Sequence, residues 1–239
     1  MKFAVILGTV ILSVATIWAD MTVVQKVESA RASGQPAVMT MTLLIKGSKA
    51  KIDFKPELQS SVIDLKANKI YLIDNTAKQV MIMSLDQMKQ AMKLAGAAMA
   101  PGGQKSFKKT EKMKTINGFK CREYTLSSKN AAGSRVTCWM AEDVDAKEME
   151  PFRAFAMNIA KIFGQEAMAQ MKGMLIATES SMTFQGKKTQ NRMEVQSISR
   201  DTIDNSVFVV PTAYKRMEMP ALPSAKPKPL PKSPAPPAK

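Results

Sequence analysis

Between Met21 and Met83 the chain is built from short apolar runs cut by turn-forming residues, and this pattern restricts the fold more than any other feature. Val38–Ile45 reads VMTMTLLI, with apolar residues alternating with threonine. That is the two-residue period of a half-buried strand. Gly47-Ser48 is a turn before Lys49–Lys55, and Pro56-Glu57 breaks that run. Ser61–Leu65, Lys69–Ile73 and Gln79–Met83 follow, separated at Ala67-Asn68 and at Asp74-Asn75-Thr76. Met21–Ala30 alternates more loosely before them. Breaks this short join neighbours that run in opposite directions, so the pattern predicts an antiparallel sheet.

The period then changes. Ser84 and Gln87 have the spacing of a capping box, and Leu85, Met88, Met92, Ala95 and Met99 follow at helical intervals. An amphipathic helix is expected over Leu85–Met99, ended by Pro101-Gly102-Gly103. A second is expected over Glu148–Lys172, with Pro151 in its first turn. Its apolar stripe includes Phe152, Phe155, Ile159, Phe163 and Met168.

Strands resume from Phe107 through Ala141. Lys120–Leu126 and Arg135–Ala141 flank the turn-rich Ser127–Gly133 and read as a hairpin carrying the only two cysteines, Cys121 and Cys138. In an exported chain two cysteines commonly pair. A four-residue loop at Ser128–Ala131 places them opposite each other, and a disulfide is expected on that basis. A turn centred nearer Gly133 moves them about three residues out of register, too far to bridge. Leu175–Phe184 and Thr189–Arg200 form a closing pair around Gly186, and Val207–Pro211 reads as a short last strand. The expected architecture is α+β, mainly β: a curled antiparallel sheet, or incomplete β-barrel, of roughly ten strands with two amphipathic helices covering its concave face.

Residues 1–19 carry one early lysine, an apolar run from Ala4 to Trp18 and a small residue, Ala19. They read as a secretory signal peptide, cleaved after Ala19 or, failing that, after Ala15. No cysteine follows the run for lipid attachment, so the expected location is periplasmic or secreted. Residues 20–219 form one domain, and Pro220–Lys239 is a proline- and lysine-rich tail expected to stay extended. Without Lys2 the formal charge falls from +15 to +14, and the tail's four lysines leave +10 on the core. That balance favours anionic partners such as an envelope surface. Nucleic acid is not expected, because no basic-aromatic interleaving appears among the three tyrosines and two tryptophans.

The chain has no histidine, which removes Ser-His-Asp and Cys-His catalysis and the common zinc motifs. No phosphate-cradling glycine motif occurs. No enzyme activity, cofactor or metal site is expected. Methionine, by contrast, occurs twenty times and clusters at Met39/Met41, Met81/Met83/Met88/Met92, Met149/Met157/Met168/Met171/Met174 and Met217/Met219. Unbranched thioethers adapt to varied apolar partners. Leu85, Met88, Met92, Phe152, Phe155, Ile159, Phe163 and Met168 are therefore the candidate lining of a cavity for a lipid or other hydrophobic ligand. The same side chains also suit an ordinary filled core, in which case the protein is a structural or envelope-interaction protein. A third reading, Cu(I) held by thioethers, rests on Met168, Met171 and Met174 at i, i+3 and i+6.

Three segments add a resemblance: Gly118-Phe119-Lys120-Cys121-Arg122-Glu123-Tyr124, Trp139-Met140-Ala141-Glu142-Asp143, and Val210-Pro211-Thr212-Ala213-Tyr214-Lys215-Arg216-Met217. Together they resemble an uncharacterised family of exported bacterial domains related to the periplasmic lipoprotein carriers of the LolA/LolB type. The resemblance covers most of Ser29–Met219. It implies an incomplete barrel with helices over its concave side, a hydrophobic cavity and an apolar ligand. The Lys-Pro tail is absent from those carriers.

Overall fold

The structure is a computed structural model and describes residues 20–30, 37–56, 58–91, 105–128, 135–144, 150–163, 173–184 and 187–219. Twelve strands form one open sheet. In chain order they are β1 (Met21–Ala30), β2 (Ala37–Lys46), β3 (Lys49–Lys55), β4 (Gln59–Asp64), β5 (Lys69–Asp74), β6 (Gln79–Ser84), β7 (Lys105–Ile116), β8 (Phe119–Ser128), β9 (Arg135–Ala141), β10 (Met174–Phe184), β11 (Lys187–Ser199) and β12 (Lys215–Glu218). Their spatial order is β12-β6-β5-β4-β3-β2-β1-β11-β10-β9-β8-β7. Two antiparallel meanders, β1–β6 and β7–β11, thus join where β1 pairs with β11. The sheet does not close into a barrel.

Its curl is visible in side chains that reach across strands. Asn117, in the β7–β8 turn, donates through Nδ2 to the Val195 carbonyl on β11 at 2.7 Å. β8 and β11 are three positions apart in the sheet, about 14 Å if it were flat, which no asparagine spans. Lys114 on β7 likewise meets Glu179 on β10 at 3.2 Å. Register shifts in β7, β10 and β11 leave extra residues, Ile176 and Gln196 among them. Such bulges bend a strand and increase its twist.

Helix α1 covers the described residues 85–91 and opens on the expected capping box. Ser84 N–H donates to Gln87 Oε1 at 2.7 Å, and Gln87 N–H donates to Ser84 Oγ at 3.0 Å. The rest of the expected helix, including Met92, lies outside the described residues. Helix α2 spans Glu150–Phe163. It sets Phe155 into a core drawn from both meanders: Met21, Val23, Ile45 and Ala50 on one side, and Ile116, Cys121, Trp139 and Ala141 on the other. Burying that one phenyl ring stabilises by about 2–3 kcal/mol. Phe152 and Ile159 pack partly buried against the same cluster.

Three expectations are corrected. Cys121 and Cys138 are both free and buried. The hairpin pairs Cys121 with Ala141 and Tyr124 with Cys138. A three-residue offset reverses the side-chain direction in a strand, so one thiol joins the core under α2 and the other packs with Tyr124 and Met140 on the opposite face. The wider loop register holds, and no bridge can form across the sheet. Burial pushes the Cys121 thiol up to about 11, helped by Asp143, and burial also raises that of Cys138.

Secondly, Val207–Pro211 is not a strand. Asp204 accepts from Ser206 N–H at 2.7 Å and starts a single 3-10 turn, Asn205–Phe208. That segment lays Ile203 and Phe208 over Val62, Ile73 and Val80, a second core on the outer face of β4–β6. Asp20 fixes it: its Oδ2 accepts from Ile203 N–H at 2.7 Å and pairs with Lys46 Nζ at 3.2 Å. Thirdly, the sheet is not wholly antiparallel. β12 adds to β6 in parallel, with Met217 opposite Met81.

Candidate functional site: an apolar row beside a glutamine row

On the face of β1–β6 opposite the 3-10 segment, the registers align side chains into three rows. The first runs Met21, Ile45, Ala50, Ile63, Ile70 and Met83, and five of these six are fully buried under the helices. The second, about 7 Å along the strands, runs Val23, Leu43, Ile52, Ser61, Leu72, Met81 and Met217. It is apolar at every position but one. Yet Leu43, Ile52, Met81 and Met217 are only half-buried, and Leu72 is 37% exposed. The third runs Gln25, Met41, Phe54, Gln59, Asp74 and Gln79, with Lys215 exposed at the sheet edge.

A groove of about 350 Å³ lies along the last two rows from β3 to β12. Phe54, Leu72, Met81 and Met217 make its apolar wall, and Gln59, Ser61, Asp74 and Gln79 its polar side. Asp74 Oδ1 accepts from the Thr76 and Ala77 N–H groups at 2.9 and 2.8 Å, which ties it to the β5–β6 turn. Gln25 is 7% exposed and its Oε1 has no hydrogen-bond partner.

The sequence-derived lining does not surround this groove. Leu85 is buried and Met88 half-buried in a small cluster with Ile70 and Met83. Phe155, Phe152 and Ile159 belong to the separate core under α2. Phe163 ends α2, with its side chain outside the described ones, and Met92 and Met168 lie outside the described residues. Met174 begins strand β10 after Gly173, so it does not extend a helical Met168-Met171 face. The groove residues were legible only in part. The methionine clusters include Met81 and Met217, but the closing motif Val210–Met217 enters the sequence reading only through the resemblance. In that motif Tyr214 packs on the outer face and donates to Asn75 Oδ1 at 3.2 Å, while Met217 lines the groove.

A polar hollow of about 510 Å³ in the other meander includes Glu123, Thr137, Glu179 and Arg192. Its charges are paired in place. Lys112 lies 3.8 Å from Glu123, which also accepts from the Thr110 hydroxyl at 2.9 Å, Lys114 meets Glu179, and Arg192 meets Glu194 at 2.6 Å. Lys114 also stands 4.3 Å over the Trp139 ring. Nearby, Glu142 ties the hairpin together: Lys109 Nζ lies 2.7 Å and the Tyr124 hydroxyl 2.6 Å from its Oε1, and Arg122 Nε lies 3.2 Å from its Oε2. Tyr124 and Glu142 come from two of the segments that carry the resemblance, and the structure joins them as a clamp. Among the described residues no three His, Cys, Asp or Glu side chains gather as a metal site. No described helix is long and apolar enough to cross a membrane.

These features define a mainly β, open-sheet domain that carries a half-buried apolar face. The chain belongs to the family described as Domain of unknown function (DUF4412), whose model matches residues 30–214. No curated protein matches it. Among solved structures it is similar to an uncharacterized conserved protein from Thermus thermophilus, at 8% identity and TM-score 0.47 over 85% of this chain and 92% of that one. It is also similar to the LolA superfamily protein NE2245 from Nitrosomonas europaea, at 9% identity and TM-score 0.33 over 81% and 91%. A third is the MucA/MucB complex of Pseudomonas aeruginosa, at 7% identity and TM-score 0.44 over 80% of this chain and 56% of that one.

Proposed function

We propose that this chain is an exported, non-enzymatic binding protein that shelters a hydrophobic ligand, such as a lipid, against its half-buried apolar row. The observation that carries the reading is the groove between Phe54, Leu72, Met81 and Met217. Its volume is at the lower end of the range for small-molecule sites. Each methylene removed from water there contributes about 0.8 kcal/mol, and flexible thioethers suit chains of varied shape. Export rests on the signal-like residues 1–19, and a periplasmic or secreted location follows from it. The lining proposed from sequence is replaced as the primary site, because Leu85 and Phe155 are consumed in packing.

Native mass spectrometry of the protein purified from an exporting host tests this. A bound apolar mass that leaves on organic extraction is expected. A bare protein that takes up no phospholipid, fatty acid or uncharged alkyl amphiphile when offered them overturns the reading, and leaves a structural envelope protein with a filled core. A copper adduct in the same spectrum restores the thioether-metal alternative.

A further inference from the structure

The polar side of the groove says what the ligand's head must be, if the groove holds an apolar chain as proposed above. In a chain of net charge +15, the described groove lining contains one charged side chain, and it is acidic: Asp74. Among the described residues no lysine or arginine lines it, and Lys215 stands outside at the exposed sheet edge. The remaining polar groups on that face are the Gln59 and Gln79 amides and the Ser61 hydroxyl. Farther along the same face and row, the unpaired Gln25 Oε1 is a buried acceptor without a donor.

An anionic head is disfavoured twice. It meets the Asp74 carboxylate, and among the described lining residues it finds no cation to offset its desolvation. A cationic head gains only Asp74, whose Oδ1 already serves the β5–β6 turn, and it must approach against the field of a strongly basic protein. Amides and hydroxyls both donate and accept, and they are satisfied by an uncharged group that does the same. We infer that the groove takes a single-chain amphiphile with an uncharged, hydrogen-bonding head group, its chain along the Leu72–Met81–Met217 row and its head on the glutamine row.

Isothermal titration of the purified protein below the micelle concentration, with dodecyl maltoside, dodecanoate and dodecylammonium as probes of one chain length, tests the head group. Dodecyl maltoside is expected to bind at least tenfold more tightly than either charged probe. Leu72→Asp, at a partly exposed position, is expected to abolish binding of all three while melting like the parent. Gln59→Leu is expected to weaken dodecyl maltoside at least fivefold and leave dodecanoate unchanged, which a merely structural role for Gln59 would not do. Dodecanoate or dodecylammonium binding as tightly as the maltoside overturns the head-group inference and leaves the ligand reading standing. Binding of none of the three overturns the ligand reading and the inference with it.

Discussion

Replacing Glu142 by glutamine tests whether the clamp that joins β7, β8 and the end of β9 is electrostatic. Burial raises the Glu142 carboxyl, but Lys109, Tyr124 and Arg122 lower it more, and the net result is a value of about 2 against an ordinary 4.5. A carboxyl depressed on folding contributes stability that is complete above the unfolded value near 4.5 and is lost as pH falls toward 2. The full shift corresponds to roughly 3 kcal/mol. The side chain is 22% exposed, so solvent screening lowers that ceiling to about 2 kcal/mol. Glu142→Gln keeps an acceptor for the Tyr124 hydroxyl but leaves Lys109 and Arg122 without their shared counter-charge. We predict a loss of about 2 kcal/mol at pH 7 in urea unfolding, shrinking as pH falls from 5 toward 2, with parent and variant converging only below the folded value of about 2. Added salt should narrow the gap at pH 7. A difference that stays constant from pH 7 to pH 2.5 would mean that shape, not charge, holds the hairpin, and the electrostatic reasoning would be wrong.

The cysteines give a second prediction. Neither should react with a thiol reagent in the native protein, both should react after unfolding, and a reductant should leave the melting temperature unchanged, because each thiol is buried and held protonated; native protein that contains no titratable thiol even when unfolded would show a bridge. Asp20→Ala should cost about 2–3 kcal/mol by leaving the Ile203 N–H without its acceptor and Lys46, which also donates to the Ile203 carbonyl, without its counter-charge, and it should loosen the outer-face segment first, seen as faster hydrogen exchange at residues 203–209. Gly173 sits at φ +94°, where an added Cβ would overlap the Ala141 carbonyl oxygen, whereas a Cβ at Gly118, at φ +87°, meets nothing. Gly173→Ala should therefore destabilise by at least about 2 kcal/mol and Gly118→Ala by about 1 kcal/mol; equal losses in thermal unfolding would show that the contact with Ala141 is immaterial.

What the chain discloses in advance follows from how far each feature depends on distant residues. The strands of the first meander match their expected limits to within two residues, because alternation and turn residues are local. The Ser84–Gln87 box is likewise legible, since both partners lie within one helical turn. Asn117-Gly118, the turn between β7 and β8, carried an equally local signal for a two-residue hairpin that the reading by strand runs passed over. β12 carried none. Lys215-Arg216-Met217-Glu218 has three charged residues in four and no alternation, and it becomes a strand only because β6 offers an unpaired edge. The cysteine register depends on the length of the β8–β9 connection, and three residues of uncertainty there reverse a side chain through the sheet.

The groove is the extreme case. Its wall runs from Phe54 to Met217, and no spacing within the sequence relates the two. Alternation assigns Phe54, Leu72 and Met81 to one face, but it does not say which row along that face the helices leave uncovered. That depends on where α1 and α2 land, and they land on the first row, at Ile45, Ile70 and Met83. The described helix residues chosen from sequence, Leu85, Met88, Phe152, Phe155 and Ile159, are thus taken up in packing, and the row beside them is the one proposed to meet a ligand. An amphipathic helix over a sheet has its strongest apolar residues where it touches the sheet. The same signal that locates the helix therefore marks filled space, and a binding surface is better sought one strand-repeat, about 7 Å, beyond it.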